Sequence, residues 1–449
     1  MATRTRVISQ SKAVYVTPTG WDITEHASDV TQDLRMISGH QLHRIDNASF
    51  EIDLAGSRQD VREFGQLSRI STVRLSEIDP TLSLGYFLGN GENELALGFD
   101  NSSGADTQII SSIINEDPTQ SQRNIFIATV KEGEDAFTTN KWNSEEDSHD
   151  VVGFGNCFIN SYSVNLSVGE IPRVDLEVQA SNVVFWTGCQ SGLFNPSLNL
   201  EGERTHSGLV ILPPPDTGEV GHAVLRPHDV SVTFVDDQIS NLTSGAAVGG
   251  VNFSTMPIQS CSIEIPLARE VIESLGSERA YAKPVQFPID VTVSISSLVN
   301  EYTTGALEYA LTGRASTKKT NISIEVKDGN MVRNKFVLTG ALLDSQSFSQ
   351  GLDDNETVDL TFSAQIGGAS STDQGLMFTS ATGASDGISG VFLTGMDGTS
   401  YVVAGAAATE QPIQVNGWVD LTGEFPLDSL DNDGDGNDAD PDGYPDAVI

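Results

Sequence analysis

Between Ile289 and Ser296 apolar and polar side chains take strict turns, with Ile289, Val291, Val293 and Ile295 on one side and Asp290, Thr292, Ser294 and Ser296 on the other. A period of two leaves such a run one conformation that buries all its apolar side chains together, a β-strand packed on one face. The run closes a longer motif. Cys261-Ser262-Ile263-Glu264-Ile265 alternates in the same way, and Arg269 to Leu275 places Val271, Ile272 and Leu275 on one side of a helical turn. Gly276 supplies the left-handed residue that ends a helix. The sequence therefore predicts strand, short helix, long strand from Pro257 to Leu298.

The same order of features occurs near the start. Ser49-Phe50-Glu51-Ile52 stands where Ser262-Ile263-Glu264-Ile265 stands later, and Ser57 to Gly65 reads as a second short helix with Ser57 as N-cap and Asp60 three residues on. A hairpin is repeated too. Ser161 to Leu166 turns through Gly169 and returns as Val174-Asp175-Leu176-Glu177-Val178; Ser345 to Phe348 turns and returns as Val358-Asp359-Leu360-Thr361-Phe362. Four features in one order point to a tandem duplication. The fold class expected is mainly β: two β-sandwich or barrel units, each with a short flanking α-helix, and a small β-rich C-terminal appendage.

The boundaries read as an N-terminal arm (1–41), a first unit (42–186), a linker with Pro213-Pro214-Pro215 (187–225), a second unit (226–368), the appendage (369–424) and an acidic tail (425–449). Ala13 to Val16, Ile125 to Val130, Val230 to Phe234, Val391 to Leu393 and Tyr401 to Val403 are candidate strands, and Lys327-Asp328-Gly329-Asn330 is a hairpin turn. The polar stretch Glu132 to Asp150 reads as a long exposed loop.

Charge narrows the function. The chain carries 24 basic and 62 acidic residues, a formal net charge of −38. Such a surface repels phosphates and shows no basic patch, which argues against specific nucleic-acid binding. In molar salt the screening length falls to about 3 Å, so the same charge would keep the protein hydrated in a salt-rich habitat; an ordinary acidic surface is the other reading. No apolar run is long enough to span a membrane. Met1-Ala2-Thr3-Arg4-Thr5-Arg6 lacks the apolar core of a signal peptide, so a cytoplasmic origin is expected. Cys157, Cys189 and Cys261 lack metal-ligand spacing and read as free, buried thiols.

Two kinds of site come into question. In the tail Asp431, Asp433 and Asp435 alternate, Gly436 follows and Asp442 sits seven residues after Asp435. Oxygen ligands at this spacing fit a calcium loop, with Asn437 offering its carbonyl. Asp stands where the bidentate Glu is usual and no helix flanks the loop, so solvated disorder is the competing reading. Catalytic constellations are scarce. Gly383-Ala384-Ser385-Asp386-Gly387 has the nucleophile-elbow pattern, yet the last of the seven His is His228, ahead of the serine. There is no phosphate-cradling loop and no acid pair that stands out. The chain is read as a non-enzyme.

Taken together, the strand Arg44 to Ile52 repeated as Pro257 to Ile265, the helix endings Glu63-Phe64-Gly65 and Ser274-Leu275-Gly276, and the turn Gly169-Glu170-Ile171-Pro172 resemble the tail tube proteins of tailed double-stranded DNA viruses. The resemblance covers roughly residues 42–366. It implies a virion structural protein whose rings stack into a hollow tube, with three two-unit chains completing one pseudo-six-fold ring. It further implies assembly in the host cytoplasm, a place in the virion tail, contacts with other tail proteins, and DNA sliding through an acidic lumen without specific binding. The N-terminal arm and the loop Glu132 to Asp150 are then candidates for contacts between rings. Two alternatives remain: a calcium-binding surface adhesin, which calls for an export signal, and a polysaccharide-active β enzyme, which calls for a definable acid pair.

Overall fold

The computed structural model describes residues 12–19, 36–38, 40–54, 58–77, 79–101, 108–115, 121–129, 150–186, 193–204, 209–211, 225, 230–235, 257–277, 279–298, 319–328, 331–349, 355–367, 375–380, 390–394 and 400–404. It divides into two compact parts, Met1–Thr382 and Gly383–Ile449. The first part begins with β1 (Lys12–Pro18), β2 (Met36–Ser38), β3 (His40–Leu42), β4 (Ile45–Glu51), β5 (Arg58–Val61), β6 (Ser71–Arg74), β7 (Thr81–Phe87) and the helix α1 (Glu92–Leu97). It goes on through β8 (Arg123–Thr129), β9 (Asp150–Ser167), β10 (Arg173–Gln179), β11 (Asn182–Trp186), β12 (Leu193–Phe194) and β13 (Leu209–Ile211). Its second half holds β14 (Val230–Val235), β15 (Ile258–Pro266), β16 (Ile272–Glu273), β17 (Ala280–Ala282), β18 (Ile289–Leu298), β19 (Thr320–Asp328), β20 (Met331–Ser349), β21 (Thr357–Ile366) and β22 (Gly375–Ser380). The second compact part contains an antiparallel pair, β23 (Gly390–Thr394) and β24 (Ser400–Ala404), where the two apolar runs were expected to be strands.

The mainly-β expectation holds. A 15-stranded sheet carries the path β14-β19-β20-β21-β18-β15-β9-β10-β7-β4. The path repeats itself: β9-β10-β7-β4 in the first half has the connectivity of β20-β21-β18-β15 in the second. The upper reaches repeat as well. β8 and β11 flank the start of β9, with β1 beyond β8, as β19 and β22 flank the start of β20, with β14 beyond β19.

Equivalence extends to register. Leu176 faces Tyr162 and Leu84, and Leu360 faces Gln346 and Ile295. Leu84 in turn faces Ala48, as Ile295 faces Cys261. Even a β-bulge recurs, opposite Glu177/Val178 in one half and opposite Thr361/Phe362 in the other. A bulge adds one residue to one strand and shifts every side chain beyond it, so its recurrence at an equivalent place is a demanding match.

β1 lies within the stretch read as an arm, yet Tyr15 and Val16 are fully buried and β1 runs along the whole of β8. β22, in the stretch read as appendage, pairs with β20. The expected hairpin at Lys327 joins β19 to β20, with Asp328 opposite Met331.

The two short helices expected at Ser57–Gly65 and Arg269–Gly276 are not helices. They are hairpin arms, β5–β6 and β16–β17, with Gly65 and Gly276 at φ +100° and +94° in their turns. The left-handed conformation expected of Gly276 is found, but in a hairpin turn rather than at a helix end. The apolar spacing misled because Phe64, Leu67 and Leu275 face no core at all, at 105%, 108% and 108% exposure. Among the described residues a helix forms elsewhere, α1, between glycines at φ +86° and +98°.

One core runs through both halves, from Val14 and Leu42 to Leu376 and Phe378. α1 sits in it and fixes where the edge strand β4 begins. The Asn93 side chain accepts from the His43 amide and donates to the His43 carbonyl, at 2.9 and 2.8 Å. Glu94 is buried in the same helix. The Tyr86 and Tyr162 hydroxyls donate to its Oε1 at 3.0 and 3.3 Å, and burial raises its pKa.

Candidate assembly surface

The lower parts of eight strands, from β20 through β21, β18, β15, β9, β10 and β7 to β4, form one sheet with two unlike faces. Inward side chains are apolar and buried, among them Ile263, Ile265, Val291, Val293, Tyr162 and Val164. Outward side chains carry hydroxyls, amides and carboxylates. Register sets them in rows that cross from one half to the other, such as Ser345-Thr361-Ser294-Ser262-Asn165-Arg173. The seam between the halves is a regular antiparallel pairing of β15 with β9, Ser260 opposite Ser167 and Glu264 opposite Ser163. The polar face therefore continues across the seam without a break.

Six carboxylates, Glu51, Asp175, Glu177, Glu264, Asp290 and Asp359, stand on this face by alternation from the buried side chains. Arg173 is the one basic residue on these strand stretches. It is already spoken for: its guanidinium meets Asp175 Oδ1 at 2.9 Å and Asp46 Oδ2 at 2.8 Å. Gly85 makes room for the pair, since a Cβ there would lie 2.5 Å from the Arg173 guanidinium and 2.8 Å from Asp46 Oδ1. A face so built offers phosphates no free cation.

The hairpin arms rise from the turns that follow β4 and β15. The first has every described residue from Arg58 to Leu75 exposed and ends in Phe64 and Leu67. The second ends in Leu275, with Val271, Ile272 and Tyr281 also exposed. Its root is held to the first half by charge. Lys283 Nζ lies 2.9 Å from Glu77 Oε1 and 2.7 Å from Asp79 Oδ1, donates to Ser181 Oγ at 3.1 Å, and is 3% exposed. Arg279 reaches Glu77 at 3.5 Å. The Arg269 guanidinium lies over the Phe158 ring, 4.5 Å from its centroid, and burial pushes its pKa down to about 10.

Asp431, Asp433, Asp435, Asn437 and Asp442 lie outside the described residues, as does the loop from Glu132 up to the start of β9. Among the described residues no three His, Cys, Asp or Glu side chains gather to hold a metal, and no helix is long and apolar enough to cross a membrane. Cys157 and Cys261 are free and buried, and burial pushes the Cys261 thiol up to about 12. Cys189 lies outside the described residues.

The sequence reading missed the polar face as a surface. Its signal was present in the serines two apart at Ser161/Ser163, Ser260/Ser262, Ser294/Ser296 and Ser345/Ser347. It also missed the Lys283 anchor, whose partner Asp79 is 204 residues away in the chain and whose partner Ser181 is 102 away.

No protein-family model matches the chain, and no curated protein matches its sequence. Among solved structures, the chain is similar to one in the tail of an empty gene transfer agent particle with C6 symmetry, at 12% identity and a TM-score of 0.23, over 34% of this chain and 97% of that one. It is similar also to a chain in the virion of a native gene transfer agent particle, at 11% identity and a TM-score of 0.21, over 34% of this chain and 97% of that one.

Proposed function

We propose that the protein is a structural component of a virus-type tail, assembling into rings that stack as a hollow tube around a passage for DNA. The observation that carries this reading is the unbroken eight-strand sheet, apolar on its inner face and lined with hydroxyls and carboxylates on the other. A wall of this kind suits DNA in transit, because affinity for a duplex comes from cations that displace its counterions, and the single arginine here is neutralised by two aspartates. The apolar arm tips suit contacts between successive rings, since isolated side chains of that size at full exposure gain from burial against a second copy. With two units per chain, three chains complete a ring of six.

The acidic tail is proposed as a calcium site through Asp431, Asp433, Asp435, Asn437 and Asp442. The net charge of −38 fits assembly in high salt. Electron microscopy of the purified protein across a salt series tests the main reading. Rings or tubes with a six-fold appearance are expected, and monomers alone at every salt concentration would overturn it.

A further inference from the structure

The sheet path ends in open edges. β4 pairs with β7 on one side and with no strand on the other, among the described residues. Among the described strands the C-terminal stretch of β20, from Leu343 to Ser349, pairs with β21 on one side, while β19 and β22 take its N-terminal stretch. Soluble proteins guard such edges with lysine or proline. Neither stretch contains one.

The internal seam shows what each edge is built to meet. In the duplicated register β4 is the counterpart of β15, with Ser49, Phe50 and Glu51 standing for Ser262, Ile263 and Glu264. The end of β20 is the counterpart of the end of β9, with Ser347, Phe348 and Ser349 standing for Ser163, Val164 and Asn165. Inside the chain Ile263 lies opposite Val164, and both are fully buried. Their counterparts Phe50 and Phe348 are each 39% exposed. Two aromatic side chains thus lie uncovered on the apolar side of the two free edges, at the positions that bury one another at the seam within the chain.

We infer that β4 of one chain pairs antiparallel with β20 of a second copy, Ser49 opposite Ser349, Phe50 opposite Phe348 and Glu51 opposite Ser347. The contact between chains then repeats the β15–β9 seam. Phe348 closes over Phe50, whose ring already meets Phe154 edge-on at 5.3 Å with Phe185 at 6.4 Å. The polar rows run on from chain to chain, with Glu51 beside Ser347 as Glu264 is beside Ser163. The two edges differ, so the contact is head-to-tail, the kind from which rings are built, rather than a two-fold dimer. This inference rests on the tube reading and adds its residue-level contact.

The test is thiol bridging in assembled protein. Ser49→Cys with Ser349→Cys is treated with dibromobimane, a short reagent that fluoresces once it links two thiols. Ser49→Cys with Ser345→Cys is the control, because four residues of strand move the second thiol about 13 Å away. Both serines lie on the polar face; of the three native cysteines Cys157 and Cys261 are buried, and every variant is made with Cys189→Ser so that the third cannot react. The expected result is fluorescent, covalently joined chains for the first pair at five-fold or more over the control and over untouched protein. Phe348→Ser is expected to cut ring yield at least ten-fold while the free chain still unfolds in one cooperative transition, at a midpoint lowered only by its partial burial.

Rings that form with neither pair bridged, with both bridged alike, or with Ser49→Cys alone linking to itself, overturn the register and leave the tube reading standing. Native protein that forms no rings at any salt overturns the tube reading and this inference together.

Discussion

Removing the cation at the root of the second arm tests whether that arm is set by charge. In Lys283→Met the side chain keeps its length and loses the ammonium that sits 2.9 Å from Glu77 and 2.7 Å from Asp79. Breaking a buried pair from one side costs about 3–5 kcal/mol, because the partner's charge is left without compensation. Asp79 is 27% exposed and regains water, whereas Glu77 at 7% does not, although Arg279 stays 3.5 Å from it. The cost therefore belongs at the low end, about 3 kcal/mol. Urea unfolding of the unassembled chain reads it as a lowered midpoint at constant slope. Adding Glu77→Gln to Lys283→Met removes the stranded charge and is expected to return half the loss or more. Raising salt from about 0.1 to 1 M leaves the difference nearly unchanged, since buried pairs are poorly screened. A loss under about 1 kcal/mol, or a double variant no better than the single one, would refute the claim that this cluster anchors the arm.

Four further outcomes are expected. Phe64→Ser with Leu67→Ser, at fully exposed positions, leaves chain stability within about 0.5 kcal/mol and permits rings while abolishing tubes by electron microscopy; tubes of normal length would exclude the first arm from stacking. Asp46→Asn with Asp175→Asn frees Arg173, so assembled tubes gain salt-sensitive DNA binding with a slope of about 0.9 per phosphate contact, and a flat response would show that the pair does not mask it. Burial raises the pKa of Glu94, so the folded chain holds a proton that the unfolded chain releases, and stability falls as pH rises from the ordinary carboxylate range toward the raised value; Glu94→Gln flattens that slope and raises stability at neutral pH in urea titrations, and an unchanged profile would count against it. The proposed calcium site predicts that calorimetric titration of the full chain shows binding that is lost when residues 427–449 are removed, and equal binding by the truncated chain would dismiss the tail as a ligand.

The repeated order of strands was legible because every strand in it has one buried face. Period two in Ile289–Ile295 and Val174–Val178 fixes both conformation and facing, and Gly169 at φ +86° marks the turn between β9 and β10. The arms were not legible as strands. β5, β6, β16 and β17 bury nothing within the chain, so no burial pattern constrains them, and apolar residues at Val61, Phe64 and Val271 to Leu275 took a helical spacing by default. The polar face was half legible. Its residues alternate visibly, yet their gathering into rows depends on β15 meeting β9, a pairing about a hundred residues apart that local pattern does not encode. The Lys283 cluster was not visible at all, because a lysine in a stretch of average charge gives no hint that it will be 3% exposed.

In the proposed ring of three chains, the repeat divides the seams into two kinds. Six equal units would each need an encounter for every seam. Here one seam of each pair is intramolecular, made between β15 and β9 of the same chain with the partners held at high effective concentration. Those internal seams can rely on side chains of ordinary size, and they bury Ile263 against Val164. The proposed seams between chains lack that help, and larger aromatic side chains stand at the equivalent positions, Phe50 and Phe348. Greater apolar area and aromatic contact there would offset the lost tether. Isoleucine and valine at the internal seam and phenylalanine at the open edges is the difference expected when one seam is covalently joined and the other has to find its partner.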